Sequence, residues 1–238
     1  MSFIIDTPNS PGTLFNKTTD EYIYQTYLYL ESKPSNFRES YQEFQSHAIW
    51  TTKSYIRSIF PFLKGAKIIN EYNSIINKEL FTDSGRAYYI CIDSIIKCKK
   101  ENEILALDQF EKIKQKIIRQ GLKNIIANKE IQYGKIFRAI INHLILYKQI
   151  NEMEFALVLY TLQNNLSSQE YKSAMEQRQI DFYVRVTNKG TSNIKNETKI
   201  TCFSYFMGSL ISAGIVEKKC SDGFYKCVCD LNTMEDMI

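Results

Sequence analysis

The sequence contains little glycine and proline, the two residues that most often mark turns. Nine glycines and four prolines in 238 residues are too few for a sandwich or barrel, which needs a turn about every 8–12 residues. With 44% hydrophobic residues, the chain can still bury a substantial core. The composition therefore predicts a mainly helical protein, and we interpret the length as two small domains rather than one large one.

Long apolar runs are also missing. No hydrophobic stretch approaches the roughly 18–20 residues that a membrane-spanning helix needs. The first residues do not have the basic and apolar regions of a secretion signal. We therefore expect a cytoplasmic protein without a membrane partner, in which the six cysteines are reduced.

Motifs for metals and cofactors are scarce. Cys220, Cys227 and Cys229 cluster near the end of the sequence, but no Cys-x-x-Cys pair accompanies them. The two histidines, His47 and His143, lie far away in sequence, so a zinc site is not predicted. We expect buried free thiols, with His143 as a hydrogen-bonded core residue. A glycine-rich phosphate loop is also absent, and no cofactor is predicted for binding.

Helix start and stop signals predict a first unit over residues 18–100, after an irregular lead-in over residues 1–17. This unit would contain three helices, the third ending at Gly65, and then β-branched runs that favour a small hairpin. A further helix would carry Ala87, Cys91, Ile95 and Cys98 on one side. Three helices and a hairpin are typical of a winged helix. The predicted helix starts are Thr18, Ser35, and Thr51 or Thr52, and the predicted hairpin runs are 67–69 and 74–76.

The second half is predicted to repeat this arrangement of helices and a hairpin after a helical connector over residues 101–130. In residues 131–238, two capping boxes start helices, and Asn196 is predicted to cap a last helix that Gly214 ends. Two strands joined by an Asp-Gly turn follow. The predicted fold is therefore mainly α with small β-hairpins: two winged-helix-like units joined by a helical connector. The capping boxes and strands are Asn151 with Glu154, Ser167 with Glu170, 215–219 and 224–228.

Basic residues fall on the predicted third helices and hairpins. An α-helix fits the DNA major groove, where its polar face can reach base edges and phosphates. Lys53 and Arg57 are one helical turn apart; lysine attracts phosphate, and arginine can also contact guanine. The candidate DNA-binding residues are Lys53, Ser54, Arg57, Lys64, Arg86, Lys195, Asn196, Lys199, Lys218 and Lys219.

Each basic group also has a simpler interpretation. A surface helix carries cations for solvation, and lysines such as Lys218 and Lys219 protect an edge strand from aggregation. The basic stretch from Lys112 to Lys123 favours a solvated helix face in the same way. The formal net charge of +4 is too small to identify a nucleic-acid partner by itself.

A catalytic site is only weakly indicated. Nuclease chemistry needs carboxylates and usually a lysine around a divalent metal, and the nearest match is Asp181 with Glu197 and Lys199. No apolar strand is predicted before Glu197, although such ligands need a central strand to hold them. Acid-x-Lys pairs also arise often by chance.

Four segments resemble the DNA-recognition region of type IIS restriction endonucleases of the AlwI and FokI kinds. They are Lys53–Lys64 (KSYIRSIFPFLK), Leu80–Tyr88 (LFTDSGRAY), Gly134–Ile141 (GKIFRAII) and Glu152–Leu157 (EMEFAL). The resemblance covers most of residues 20–230. It implies a recognition region that such enzymes join to a metal-dependent nuclease module of the PD-(D/E)xK type. That module is not identified in this sequence, so Mg²⁺ would be needed only by a separate nuclease.

The leading hypothesis is sequence-specific binding of double-stranded DNA, as the recognition module or subunit of a type II restriction endonuclease system. A nuclease subunit or domain would then be its partner. The alternative is a regulatory or replication-initiator winged-helix protein without a nuclease link. A self-contained hydrolase that uses Asp181, Glu197 and Lys199, and a winged-helix protein-interaction module, are further hypotheses.

Overall fold

A computed structural model of the chain describes most of the residues and confirms a mainly helical protein with a few small strands. None of the described helices is both long and apolar enough to cross a lipid bilayer. The described residues are 2–6, 8–11, 17–33, 43, 46, 53–70, 79–177, 181–188, 191–195, 200, 202–219 and 223–238.

Among the described residues, five helices follow β1 before the next strand, and the other strands lie in the second half of the chain. The helices are α1 (Lys17–Glu31), α2 (Lys53–Gly65), α3 (Asp83–Glu101), α4 (Ile104–Ala127), α5 (Gln132–Tyr147), α6 (Glu152–Asn164), α7 (Ser168–Glu176), α8 (Phe203–Ser212) and α9 (Leu231–Glu235). The strands are β1 (Ser2–Asp6), β2 (Gln149–Ile150), β3 (Asp181–Asn188), β4 (Thr191–Lys195), β5 (Val216–Lys218) and β6 (Tyr225–Cys227).

The strands form two three-stranded sheets. In the first, β1 pairs parallel to β3, and β3 pairs antiparallel to β4. In the second, the order is β2-β6-β5 and all pairs are antiparallel. Its short strand β2 lies between α5 and α6, whereas β5 and β6 form a hairpin after α8.

The interpretation of the first residues as an irregular lead-in is wrong for Ser2–Asp6, which form β1. Phe3 and Ile5 alternate with exposed residues and are buried, as expected of a strand with one covered face. The ring of Phe3 packs on Tyr160, with 4.2 Å between centroids. The partner strand lies far along the chain, so no local pattern indicated this pairing.

The predicted first hairpin stays a prediction, because the run at 74–76 lies outside the described residues. Ile69 forms an antiparallel bridge with Phe81. The Asn70 N–H donates to the Leu80 carbonyl at 2.7 Å, and the Thr82 N–H donates to the Ile68 carbonyl at 3.1 Å. This bridge places the start of α3 beside Ile68, which follows α2.

Helix α3 begins at Asp83, two residues before Gly85, because Thr82 caps it. The Thr82 side chain accepts from the Gly85 N–H at 3.1 Å. Cys91, Ile95 and Cys98 are buried as predicted, whereas Ala87 is exposed. Tyr88 and Ile92 complete the buried face.

Helix α4 runs without interruption through Gly121. A Cβ atom at Gly121 would lie 2.9 Å from the Ala66 Cβ, so the glycine allows α2 to approach α4 closely. Helix α4 packs against α2, α3, α5 and α8, and one contiguous apolar core contains residues from Ile5 to Met237. The division of the chain into two units with a connector stays a prediction.

Local capping signals in the second half are confirmed in part. Both capping boxes form, Asn151 with Glu154 at α6 and Ser167 with Glu170 at α7. Gly214 ends α8 with a φ of 65°, the left-handed conformation that glycine adopts without strain. The start of α8 was predicted wrongly, because the helix begins at Phe203 and not after Asn196.

Candidate nucleic-acid interface

The hairpin β5–β6 is an exposed basic feature of the second half. Its lysines are Lys218, Lys219 and Lys226, and all three are exposed. Lys226 occupies the central strand and pairs with Gln149 on one side and Glu217 on the other. The hairpin therefore presents cationic side chains from a short, hydrogen-bonded sheet.

Helix α8 precedes this hairpin but differs from the predicted recognition helix. Its sequence contains no charged residue, and six of its residues are buried. Phe206, Met207 and Leu210 are each completely buried, which indicates that α8 contributes packing. Lys195 is the last residue of β4, and α8 begins only at Phe203. Lys195, Asn196 and Lys199 therefore precede this helix in the chain and do not form its outer face.

The candidate residues of the first half lie on α2 and α3. Lys64 near the end of α2 and Arg86 near the start of α3 are both exposed. Lys53, Ser54 and Arg57 belong to the first part of α2, and their side chains lie outside the described part of the chain. The same holds for the side chain of Lys195 and for Asn196 and Lys199 as a whole.

The basic stretch of α4 separates into different environments. Lys112 pairs with Asp108 at 2.6 Å on the surface, as expected of a solvated helix face. Lys114 is instead buried, and its ammonium lies 2.8 Å from both Asp20 and Glu111. The other basic residues of the stretch, Lys116, Arg119 and Lys123, line a small cavity beside α9.

The weak catalytic candidates stay a prediction. Asp181 begins β3, but its side chain, Glu197 and Lys199 lie outside the described residues. A strand, β4, does precede Glu197, although its sequence TSNIK is polar. Among the described residues, no group of three or more His, Cys, Asp or Glu side chains is arranged to hold a metal ion.

His143 is a hydrogen-bonded core residue, as predicted. Its Nε2 lies 2.8 Å from the Gln149 carbonyl, and its Nδ1 bonds to the Tyr171 hydroxyl. Burial raises the pKa of Tyr171, so this hydroxyl keeps its proton and can donate it to Nδ1. A neutral ring with its proton on Nε2 satisfies both partners.

The cysteines are also largely as predicted. Cys91, Cys98 and Cys202 are buried free thiols, and Cys227 and Cys229 are half-buried. Cys220 lies outside the described residues. Burial raises the pKa of Cys202 to about 12, which keeps this thiol protonated and unreactive at neutral pH.

The comparisons with known proteins identify no relative. The chain matches no family model, and searches of curated proteins and of solved structures return no similar protein.

Proposed function

We propose that this protein binds double-stranded DNA and that residues 132–227 form a winged helix. A winged helix consists of three helices and a three-stranded sheet, in which a short strand after the first helix pairs with the last strand of the hairpin. The order α5-β2-α6, then α8-β5-β6, with β6 in the middle of the sheet, has this topology. The pairing of β2 with β6 is the observation that carries the proposal.

An insertion separates the second and third helices of this proposed winged helix. Helix α7 and strands β3 and β4 lie between α6 and α8. The insertion explains why the sequence signals predicted too early a start for α8: strands β3 and β4 pair with each other, and β3 also pairs with β1. The helix-and-hairpin core of the motif remains intact around the insertion.

The charge distribution favours a specific division of roles within the DNA complex. Helix α8 has no charged side chain, so the hairpin lysines would contact phosphates, which attract cations regardless of sequence. Base recognition would then depend on other elements, of which α2 carries the predicted Lys53 and Arg57. The resemblance to type IIS enzymes supports a role as recognition module or subunit of a restriction system, with cleavage by a partner nuclease.

The proposal is tested by replacing Lys218, Lys219 and Lys226 together with alanine. We expect the slope of log affinity for duplex DNA against log salt to fall by about 3, because each lysine that contacts a phosphate contributes about one unit. At 100 mM salt the affinity should fall by roughly 10²–10³-fold, because each lost phosphate contact removes about 0.9 log unit of affinity for every tenfold decrease in salt below 1 M. Fluorescence anisotropy with a labelled random duplex, measured over a salt series, gives both quantities.

A matched control removes the same charge from a different surface. Lys97, Lys99 and Lys112 are exposed and each lies within 4 Å of a carboxylate, on Asp93, Glu111 and Asp108 respectively. Their triple alanine variant should keep the wild-type slope. Equal slopes for the two triple variants would contradict the proposed role of the hairpin, and absent or salt-insensitive binding by the wild type would contradict DNA binding.

A second candidate function, protein interaction through a winged helix, is favoured by the uncharged surface of α8. Ile211 on this helix is 40% exposed, and an apolar exposed residue suits a protein partner better than a phosphate backbone. Site selection from random duplexes distinguishes the two functions, because only a sequence-specific DNA-binding protein enriches a common site.

A further inference from the structure

A small cavity lies between the second half of α4 and the segment that contains α9. Its volume is about 180 Å³, and it is open to solvent. Lys116, Arg119 and Lys123 line it from α4, and Thr233 and Asp236 line it from the other side. The three cations follow a spacing of three and four residues, which places them along one face of the helix.

Carboxylates neutralise this cluster only in part. Asp236 lies 2.8 Å from the Lys123 ammonium. Asp230 is close enough that Arg119 helps to lower its pKa, but the larger causes are hydrogen bonds from Thr233. Both oxygens of Asp230 accept from Thr233, at 2.8 and 2.7 Å. The cavity therefore keeps a net positive charge, unlike the paired lysines elsewhere on α3 and α4.

The Nε atom of Arg119 provides a second, independent observation that points to a ligand. This atom is buried, and it has no hydrogen-bond partner within the described part of the chain. A buried donor without an acceptor costs about 1–3 kcal/mol, and more when the group is charged. Most such donors in folded proteins have a partner, which can be an ion or a ligand.

We propose that this cavity binds a phosphate group. A guanidinium between two ammonium groups suits a tetrahedral oxyanion with several acceptor oxygens, because arginine offers donors in a planar fork while lysine acts as a point charge. The phosphate belongs either to the backbone of a nucleic acid or to a free phosphate compound. The chain passes from β6 to the cavity within a few residues, which favours the backbone of DNA held by the hairpin.

The test measures phosphate binding in the absence of DNA. Inorganic phosphate and pyrophosphate are titrated into the full chain by isothermal titration calorimetry at low salt. We expect saturable binding to the wild type, and at least tenfold weaker binding to Arg119→Gln and to Lys116→Ala. Arg138→Gln and Lys112→Ala, which change exposed residues of the same types, should bind like the wild type.

Folding is checked by circular dichroism and thermal unfolding, and Arg119→Lys provides a second variant that keeps the charge but lacks Nε. This variant should bind phosphate more weakly than the wild type and more tightly than Arg119→Gln. Absence of saturable binding to the wild type would overturn the proposal. Binding that does not change in a folded Arg119→Gln variant would also overturn it.

A competition experiment identifies the source of the phosphate. If a short duplex displaces bound pyrophosphate, and Arg119→Gln lowers the salt slope of DNA binding by about 1, the cavity holds the DNA backbone. If the duplex does not displace pyrophosphate, the cavity holds a free phosphate compound. Because the titration needs no DNA, the cavity is supported or overturned independently of the proposed function.

Discussion

Replacement of Lys114 by alanine is expected to lower the free energy of unfolding by about 4 kcal/mol, because it breaks a buried ion pair from one side. The Lys114 ammonium lies 2.8 Å from an oxygen of Asp20, and the buried Tyr88 hydroxyl donates to the other oxygen of Asp20. Without Lys114, Asp20 would stay largely desolvated without a cation. Chemical denaturation followed by circular dichroism measures the change.

Two variants make this prediction specific. Lys112→Ala removes an exposed lysine from the same helix, paired with Asp108, and should change stability by less than about 1 kcal/mol. The double variant Lys114→Met with Asp20→Asn removes both charges, and should recover a large part of the loss. A loss for Lys114→Ala no larger than that of Lys112→Ala would contradict the ion-pair interpretation.

The pH dependence of this contribution follows from the pKa of Lys114. Burial lowers this pKa, but the Asp20 carboxylate and its hydrogen bond, together with Glu111, outweigh burial and raise it above the ordinary 10.5. A base whose pKa is raised on folding stabilises the folded state below its unfolded pKa, and the contribution is lost as the pH rises through the folded pKa. The difference between wild type and Lys114→Ala should therefore be constant from pH 7 to about pH 9.

Replacement of Gly85 by alanine is expected to destabilise the protein by about 3 kcal/mol through overpacking. A Cβ atom there would lie 2.1 Å from the carbonyl oxygen of Ile68. That carbonyl cannot move away easily, because it accepts from the Thr82 N–H at 3.1 Å. The better helix propensity of alanine, about 1 kcal/mol, does not offset a clash with backbone.

The neighbouring residue provides the control for this prediction. Ser84 lies in the same first turn of α3 and is exposed, so Ser84→Ala should change the free energy of unfolding by no more than about 0.5 kcal/mol. Thermal or denaturant unfolding of both variants measures the difference. Equal stabilities of Gly85→Ala and wild type would show that the bridge between 68–70 and 80–82 is not rigid.

The sequence predicted best those elements whose signals are local. Asn151 with Glu154 predicted the start of α6, because a capping box involves only residues within one turn. Gly214 predicted the end of α8 for a similar reason. The start of α8 was predicted wrongly. The polar residues around Asn196 resemble a helix cap, but Asn196 comes directly after β4, and the helix begins at Phe203.

Contacts between distant residues could not be predicted in this way. Ile69 pairs with Phe81, whereas the β-branched residues predicted a pairing with residues 74–76, which lie outside the described part of the chain. The predicted basic residues of the hairpin, Lys218 and Lys219, are exposed as a local pattern indicates. The cavity around Arg119 combines two segments far apart in sequence, so no spacing rule could have brought Asp236 next to Lys123.

The pairing of β1 with β3 determines when the first sheet can form during synthesis. The residues of β1 are translated before those of β3, yet Ser2 pairs with Asp181, which a ribosome reaches roughly 10 to 35 seconds later at ordinary elongation rates. Until then Phe3 and Ile5 have no sheet to join, and afterwards the edge of β3 stays open until β1 arrives. An open edge of this kind can accept the same strand from a second copy, so fast docking of β1 protects the nascent chain from exchange between molecules.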